Sequence, residues 1–100
     1  MLLYNVTSII EDSAAEKWLR WMQEEHIPMV METGKFVSCR LLKVLDSPNE
    51  GVTYCAQYIA ENMGEYLEYK EKYAPALQAD VLRKFENQLV SFRTLMEYVG

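Results

Sequence analysis

The amino-acid sequence predicts an α+β fold of the βαββαβ type, an antiparallel four-stranded sheet covered by its own helices on one face only. Three observations predict it. Segments 2–10, 36–45, 52–60 and 89–99 are rich in β-branched and aromatic residues and read as strands. Two stretches with apolar residues at helical spacing lie between the first and second strands and between the third and fourth. The chain has 100 residues, 50% hydrophobic and 25% charged, with 4 Gly and 3 Pro, which is the composition of one globular domain spanning 1–100.

Taken in order, Leu2 to Ile10 forms the first strand, and Asp12 and Ser13 stop it. Ser13-Ala14-Ala15-Glu16 has the form of a capping box, in which Ser13 and Glu16 satisfy each other's free amides at a helix start. The helix that follows turns Ala15, Trp18, Leu19 and Met22 inward, leaves Glu16, Lys17, Arg20, Gln23 and Glu24 wet, and is ended by Pro28, with Gly34 in the turn beyond. Phe36 to Leu45 and Val52 to Ala60 flank a Pro-Asn-Glu-Gly loop as a hairpin. Asn62 with Glu65 repeats the capping signal, and Met63, Tyr66, Leu67 and Lys70 define the inner face of the second helix. Pro75 fits the first turn of a new helix, on which Leu77, Val81 and Phe85 recur every fourth residue. Leu89 to Val99 closes the chain as a strand, with Val90, Phe92, Met96 and Tyr98 alternating against Ser91, Arg93 and Glu97. Strand, helix, strand, strand, helix, strand with right-handed crossovers is the ferredoxin-like plait.

Each of three strands has an apolar or aromatic side and a mixed one. Leu3, Asn5, Thr7 and Ile9 share the mixed side of the first strand, Thr53, Cys55, Gln57 and Ile59 that of the third, and Ser91, Arg93, Leu95 and Glu97 that of the fourth. The uncovered sheet face cannot remain an open apolar patch, and a mixed face suits a second copy enclosing some water or a small ligand. The hairpin register, and with it the side that carries Arg40, is open at this level.

Composition excludes several classes. Ten basic against 15 acidic residues, a net charge of −5, provide no basic stripe for nucleic acid and no basic amphipathic helix for a membrane surface. RNA-recognition motifs share the topology but set their aromatics in basic central strands, which this chain lacks. Cys39 and Cys55 show no metal-ligand spacing and fall about three positions out of register across the hairpin, so reduced thiols are expected. Met1 to Ile10 lacks the basic start and cleavage site of a signal peptide, and no apolar run approaches spanning length; a cytoplasmic location is the expectation.

Trp18-Leu19-Arg20-Trp21-Met22, His26-Ile27-Pro28 and Thr33-Gly34-Lys35-Phe36-Val37-Ser38-Cys39-Arg40 together resemble a motif of the dimeric α+β barrel superfamily. With Tyr69 to Pro75 and Phe92-Arg93-Thr94-Leu95 included, the whole chain is similar to the uncharacterised domain of unknown function 4286 family. The resemblance implies a homodimer in which two sheets pack face to face. It also brings in a superfamily that includes cofactor-independent monooxygenases, isomerases, haem-degrading enzymes and members with no known activity.

The candidate site residues follow from their chemistry. His26 is the only histidine; near a helix C-terminus the carbonyls would hold its pKa up, as a carbonyl cap or as an acid/base group at a cavity mouth. Alone it cannot build a zinc site, no haem signature accompanies it, and no metal or cofactor is implied. Arg40 and Arg93 either pair with Glu61, Glu97 or a partner's carboxylates, or bind a carboxylate or enolate. Asn5 and Gln57 are positioned to hydrogen-bond a ligand carbonyl or the neighbouring backbone, and Trp18 is core packing or a ligand wall. The leading expectation is a homodimeric small-molecule-binding or structural module with a cavity between sheet and helices. The rival is a cofactor-independent monooxygenase or isomerase in which His26 works with Arg40, Arg93 or Asn5 on an aromatic, quinol-like or enolisable substrate.

Overall fold

The computed structural model describes residues 1–100, and its element order follows the predicted alternation. Strands β1 (Leu2–Ile10), β2 (Ser38–Lys43), β3 (Val52–Ala60) and β4 (Leu89–Glu97) form one sheet in the order β2-β3-β1-β4, every neighbouring pair antiparallel. Helices α1 (Asp12–Trp21) and α2 (Ile27–Glu32) cross from β1 to β2, and α3 (Met63–Lys72) and α4 (Ala74–Lys84) cross from β3 to β4. No helix is long and apolar enough to cross a membrane.

The register assigns every strand residue to a face. Tyr4 lies opposite Tyr58 and Leu95, Val6 opposite Ala56 and Arg93, and Ser8 opposite Tyr54 and Ser91; this is the side the helices cover. Aromatic rings dominate the buried layer because large planar side chains fill the sheet–helix gap with few voids. Tyr4 stacks on Phe36 at 5.9 Å and meets Tyr66 at 5.3 Å, Phe36 meets the edge of Tyr69 at 4.7 Å, and Trp18 stacks on Tyr54 at 5.2 Å.

The crossover from β1 departs from the sequence reading at both ends. Ser13 lies inside α1, whose first residue is Asp12 and whose N-cap, Glu11, makes no side-chain capping bond, so the Ser13–Glu16 box does not form. Nor does Pro28 end the helix: the helical run is unbroken from Asp12 to Glu32, with one π-helical turn over Met22–His26. There the Ile27 N–H reaches back to the Met22 carbonyl. Proline in a regular helix has no N–H to give and its ring presses on the carbonyl four residues back, so widening the turn just before Pro28 lets the chain continue. Pro28 then occupies the first turn of α2.

The other crossover keeps its caps and changes its face. The Asn62 side chain accepts the Glu65 N–H at 2.9 Å, and Pro75 stands in the first turn of α4. The inner face of α3, however, is Tyr66, Tyr69 and Tyr73 rather than Met63, Tyr66, Leu67 and Lys70; Met63 and Leu67 are about half exposed, at 48% and 49%. Two apolar stripes compete on this helix, and the one whose rings interlock with Tyr4 and Phe36 faces inward. Lys35, in the loop before β2, bridges to Glu68 at 3.0 Å and Glu65 at 3.7 Å and ties that loop to α3.

The uncovered face is mixed on β1 and β3, where Leu3, Asn5, Thr7 and Ile9 align with Ile59, Gln57, Cys55 and Thr53. On β4 the expectation reverses. Val90, Phe92 and Met96 point to the uncovered side and are exposed, while Ser91, Arg93 and Leu95 lie on the helix side. Cys39 stands opposite Tyr58 and Cys55 opposite Leu42, a three-position offset, and both thiols are free.

Candidate functional site

A small cavity of about 40 Å³ lies between the helix-covered face of the sheet and helices α1 and α4. That volume admits a few water-sized groups. Its sheet wall is Tyr4, Val6, Ser8, Ala56, Tyr58, Ser91 and Arg93; Trp18, Met22 and His26 close it from the first crossover, and Leu77, Gln78 and Val81 from α4. The Ser8 and Ser91 hydroxyls bond each other at 2.8 Å across β1 and β4, which with Arg93 supplies the polar part of a floor that is otherwise apolar and aromatic.

His26 is set by the π-helical turn. It is buried, 8% exposed, and its ring lies 5.1 Å from that of Trp21. Its Nδ1 is buried without a hydrogen-bond partner. The sequence reading placed this residue at a helix end with a raised pKa; the structure places it inside a continuous helical run and reverses the sign. Burial lowers its pKa to about 4, the Asp80 carboxylate opposes that shift, and the Arg93 guanidinium adds to it. At neutral pH the imidazole is therefore uncharged, with one ring nitrogen able to donate and the other to accept.

Arg93 reaches the cavity from an edge strand, and the residue as a whole is exposed. Neither Arg93 nor Arg40 forms an ion pair within the chain, so the expected pairing with Glu61 or Glu97 does not occur. Burial raises the pKa of Tyr4, which the adjacent Arg93 partly offsets, and burial raises those of Tyr58 and Tyr69 further. All three stay neutral phenols. Burial also pushes the Cys39 thiol up to about 11, which leaves it without nucleophilic character at physiological pH.

The sheet divides the sequence-derived candidates into two sets. His26, Trp18 and Arg93 meet at the cavity. Arg40, Gln57 and Asn5 do not: with Thr94 they form one polar row straight across the uncovered face. Within one chain His26 and the Arg40–Asn5 row lie on opposite sides of the sheet, because a pleated strand sends alternate side chains to opposite faces. In that row the Asn5 Nδ2 donates to Thr7 Oγ1 at 2.9 Å, and its buried Oδ1 has no partner. Sequence reasoning missed Tyr4, Ser8, Ser91 and Gln78. The alternation of β1 marks Tyr4 and Ser8 as face-mates of the core, and Gln78 is the polar residue next to Leu77 on the inner stripe of α4. No group of three or more metal-ligating side chains converges anywhere in the chain.

Comparison with known proteins places the chain among proteins of this architecture. The family model described as Domain of unknown function (DUF4286) matches residues 1–99. No curated protein matches. Among solved structures, HapK from Hahella chejuensis is similar with a TM-score of 0.73 at 12% identity, covering 100% of this chain and 94% of that one. SnoaB, a cofactor-independent oxygenase from Streptomyces nogalater, superposes with a TM-score of 0.70 at 15% identity, covering 99% of this chain and 93% of the other. An ethyl tert-butyl ether d (ethd) family protein from Bacillus halodurans gives 0.67 at 11% identity, over 99% and 100% of the two chains. At these identities the likeness is one of fold.

Proposed function

The chain belongs to the domain of unknown function DUF4286 family, and from that premise we propose that it is a one-domain, homodimeric, cytoplasmic module that binds a small molecule between its sheet and its helices. One observation carries the reading: His26, whose buried Nδ1 has no hydrogen-bond partner, lines a mostly apolar cavity together with Arg93. Buried polar atoms are nearly always satisfied, so an orphan acceptor or donor at a cavity is accounted for by a water or a ligand.

The dimer is supported by the uncovered face. Val90 and Phe92 are exposed at 64% and 52%, Leu42 and Met96 lie on the same side, and the row from Arg40 to Thr94 crosses between them. A semi-polar apolar surface of this kind on a small domain is suited to a second copy. Native mass spectrometry of the purified protein tests both parts. Twice the chain mass plus a retained small molecule supports the proposal, and a bare monomer at micromolar concentration removes it.

A second reading has its own support. His26 is uncharged at neutral pH and lies beside neutral phenols, so it can hydrogen-bond and orient an enolisable or phenolic substrate, and a solved protein of the same fold is a cofactor-independent oxygenase. For an identified substrate, turnover lost in a folded His26→Ala variant supports an enzyme. Unchanged turnover in that variant removes His26 from the chemistry.

A further inference from the structure

The outer edge of β4 is left open for pairing. β4 ends the sheet, pairs with β1 without a break from Leu2–Glu97 to Ile10–Leu89, and carries no proline or lysine over its nine residues. An edge strand presents unpaired N–H and C=O groups, and shortness, bulges, proline or lysine keep most edges from pairing. The opposite edge, β2, follows that rule with six residues that include Arg40 and Lys43. β4 does not. Its two charges, Arg93 and Glu97, are of opposite sign, both are exposed, and neither has an ion-pair partner within the chain.

The ladder fixes which backbone groups point out. The Tyr98 N–H bonds the Met1 carbonyl at 3.0 Å and the Glu11 N–H bonds the Gln88 carbonyl at 2.9 Å, so even-numbered residues of β4 address β1. Ser91, Arg93, Leu95 and Glu97 therefore turn their N–H and C=O groups outward and their side chains to the helix side.

We infer that β4 pairs antiparallel with β4 of a second copy, in the register centred on Leu95. Outward groups must meet outward groups, which leaves few registers. Centred on Leu95, each Arg93 lies opposite the second copy's Glu97, and the charge pair occurs twice about the two-fold axis. Shifted one residue toward the chain start, Arg93 meets Leu95. Shifted two, it meets another Arg93, and like charges directly opposite repel. Two four-stranded sheets thus join into one, with every helix on the same side. The pairing also brings a carboxylate to Arg93 at the cavity wall, which holds none of its own. This edge is separate from the uncovered face, so the contact adds to the face-to-face dimer proposed above. It buries less area and forms at higher concentration.

Amide exchange of the full chain, followed by NMR, tests the pairing directly. The outward Arg93 and Leu95 amides should exchange at least about tenfold more slowly at millimolar than at low micromolar concentration. Arg93→Glu and Glu97→Arg should each weaken the concentration-dependent step about tenfold in sedimentation velocity, with circular dichroism unchanged. An equal mixture of the two variants should restore it, because unlike chains then pair both charges, and the double reversal in one chain should do the same. Concentration-independent exchange at Arg93 and Leu95, or a mixture no better than its components, overturns the edge pairing. Those amides do not report on the uncovered face, so the face-to-face dimer stands or falls separately.

Discussion

The rings of Trp21 and His26 meet at a tilt, centroids 5.1 Å apart and planes at 31°, although five positions separate them along one helical run. In a regular α-helix, with 3.6 residues per turn, such a pair diverges around the axis; the π-helical turn over Met22–His26 brings the two together. Trp21 in turn meets Phe85 at 5.5 Å, which connects the widened turn to the end of α4. The candidate site thus depends on a backbone irregularity that accommodates Pro28.

The first prediction concerns pH. The folded pKa of His26 is lowered from 6.5 to about 4, so between those values the unfolded chain binds a proton that the folded chain refuses. Stability is then lost as pH falls from about 6.5 toward 4, by on the order of 3 kcal/mol at most. Urea titrations at steps across that window should show a steeper fall for the natural chain than for His26→Leu. Parallel curves would contradict a neutral buried imidazole.

The uncovered face makes a second prediction. Phe92→Asp places a charge among Val90, Met96 and the central polar row, and desolvating it in a packed interface is costly. Self-association should weaken by at least roughly two orders of magnitude, read by sedimentation velocity across a concentration series, with the circular dichroism spectrum unchanged.

Two glycines with similar backbone angles should respond differently to alanine. Gly34 has φ +75° and open space around its missing Cβ, so Gly34→Ala should cost about 1 kcal/mol from the left-handed backbone alone. At Gly51, φ +86°, a Cβ would sit 2.5 Å from the Ile10 carbonyl oxygen. Gly51→Ala therefore adds a backbone clash to the same penalty and should cost several kcal/mol. Thermal unfolding of the two variants side by side gives the comparison.

The two helix starts offer a fourth test. Asn62→Ala removes a 2.9 Å capping bond to the Glu65 amide and should cost about 1 kcal/mol. Ser13→Ala removes no such bond, because Ser13 lies within α1, and should change stability by less than about 0.5 kcal/mol. Chemical denaturation midpoints measure both.

Strand boundaries were legible where one period dominated. Leu2–Ile10 and Val52–Ala60 fall as the alternation predicts, the cysteine offset follows from the hairpin, and Asn62 and Pro75 act as their local chemistry requires. The predicted 36–45 strand shortens to Ser38–Lys43, with Phe36 drawn into the aromatic layer before the ladder starts. Elsewhere two signals competed. On α3 a Met/Leu stripe and a tyrosine stripe were both apolar, and the choice fell to rings supplied by distant strands. On β4 the more apolar side is the uncovered one, which a rule of apolar-inward alternation inverts. Of the site, His26, Trp18 and Arg93 were named from their residue types, but their separation from Arg40, Asn5 and Gln57 depended on a register that only the paired strands define.

The central strand β1 is shared between two tasks. Leu3, Asn5, Thr7 and Ile9 address the uncovered face, while Tyr4, Val6 and Ser8 address the cavity. A single stretch of coding sequence thus carries two interleaved messages, read at odd and even positions. On the function proposed, substitutions at the odd positions would retune assembly, and those at the even positions would retune what is bound, with each reading left largely undisturbed by drift in the other.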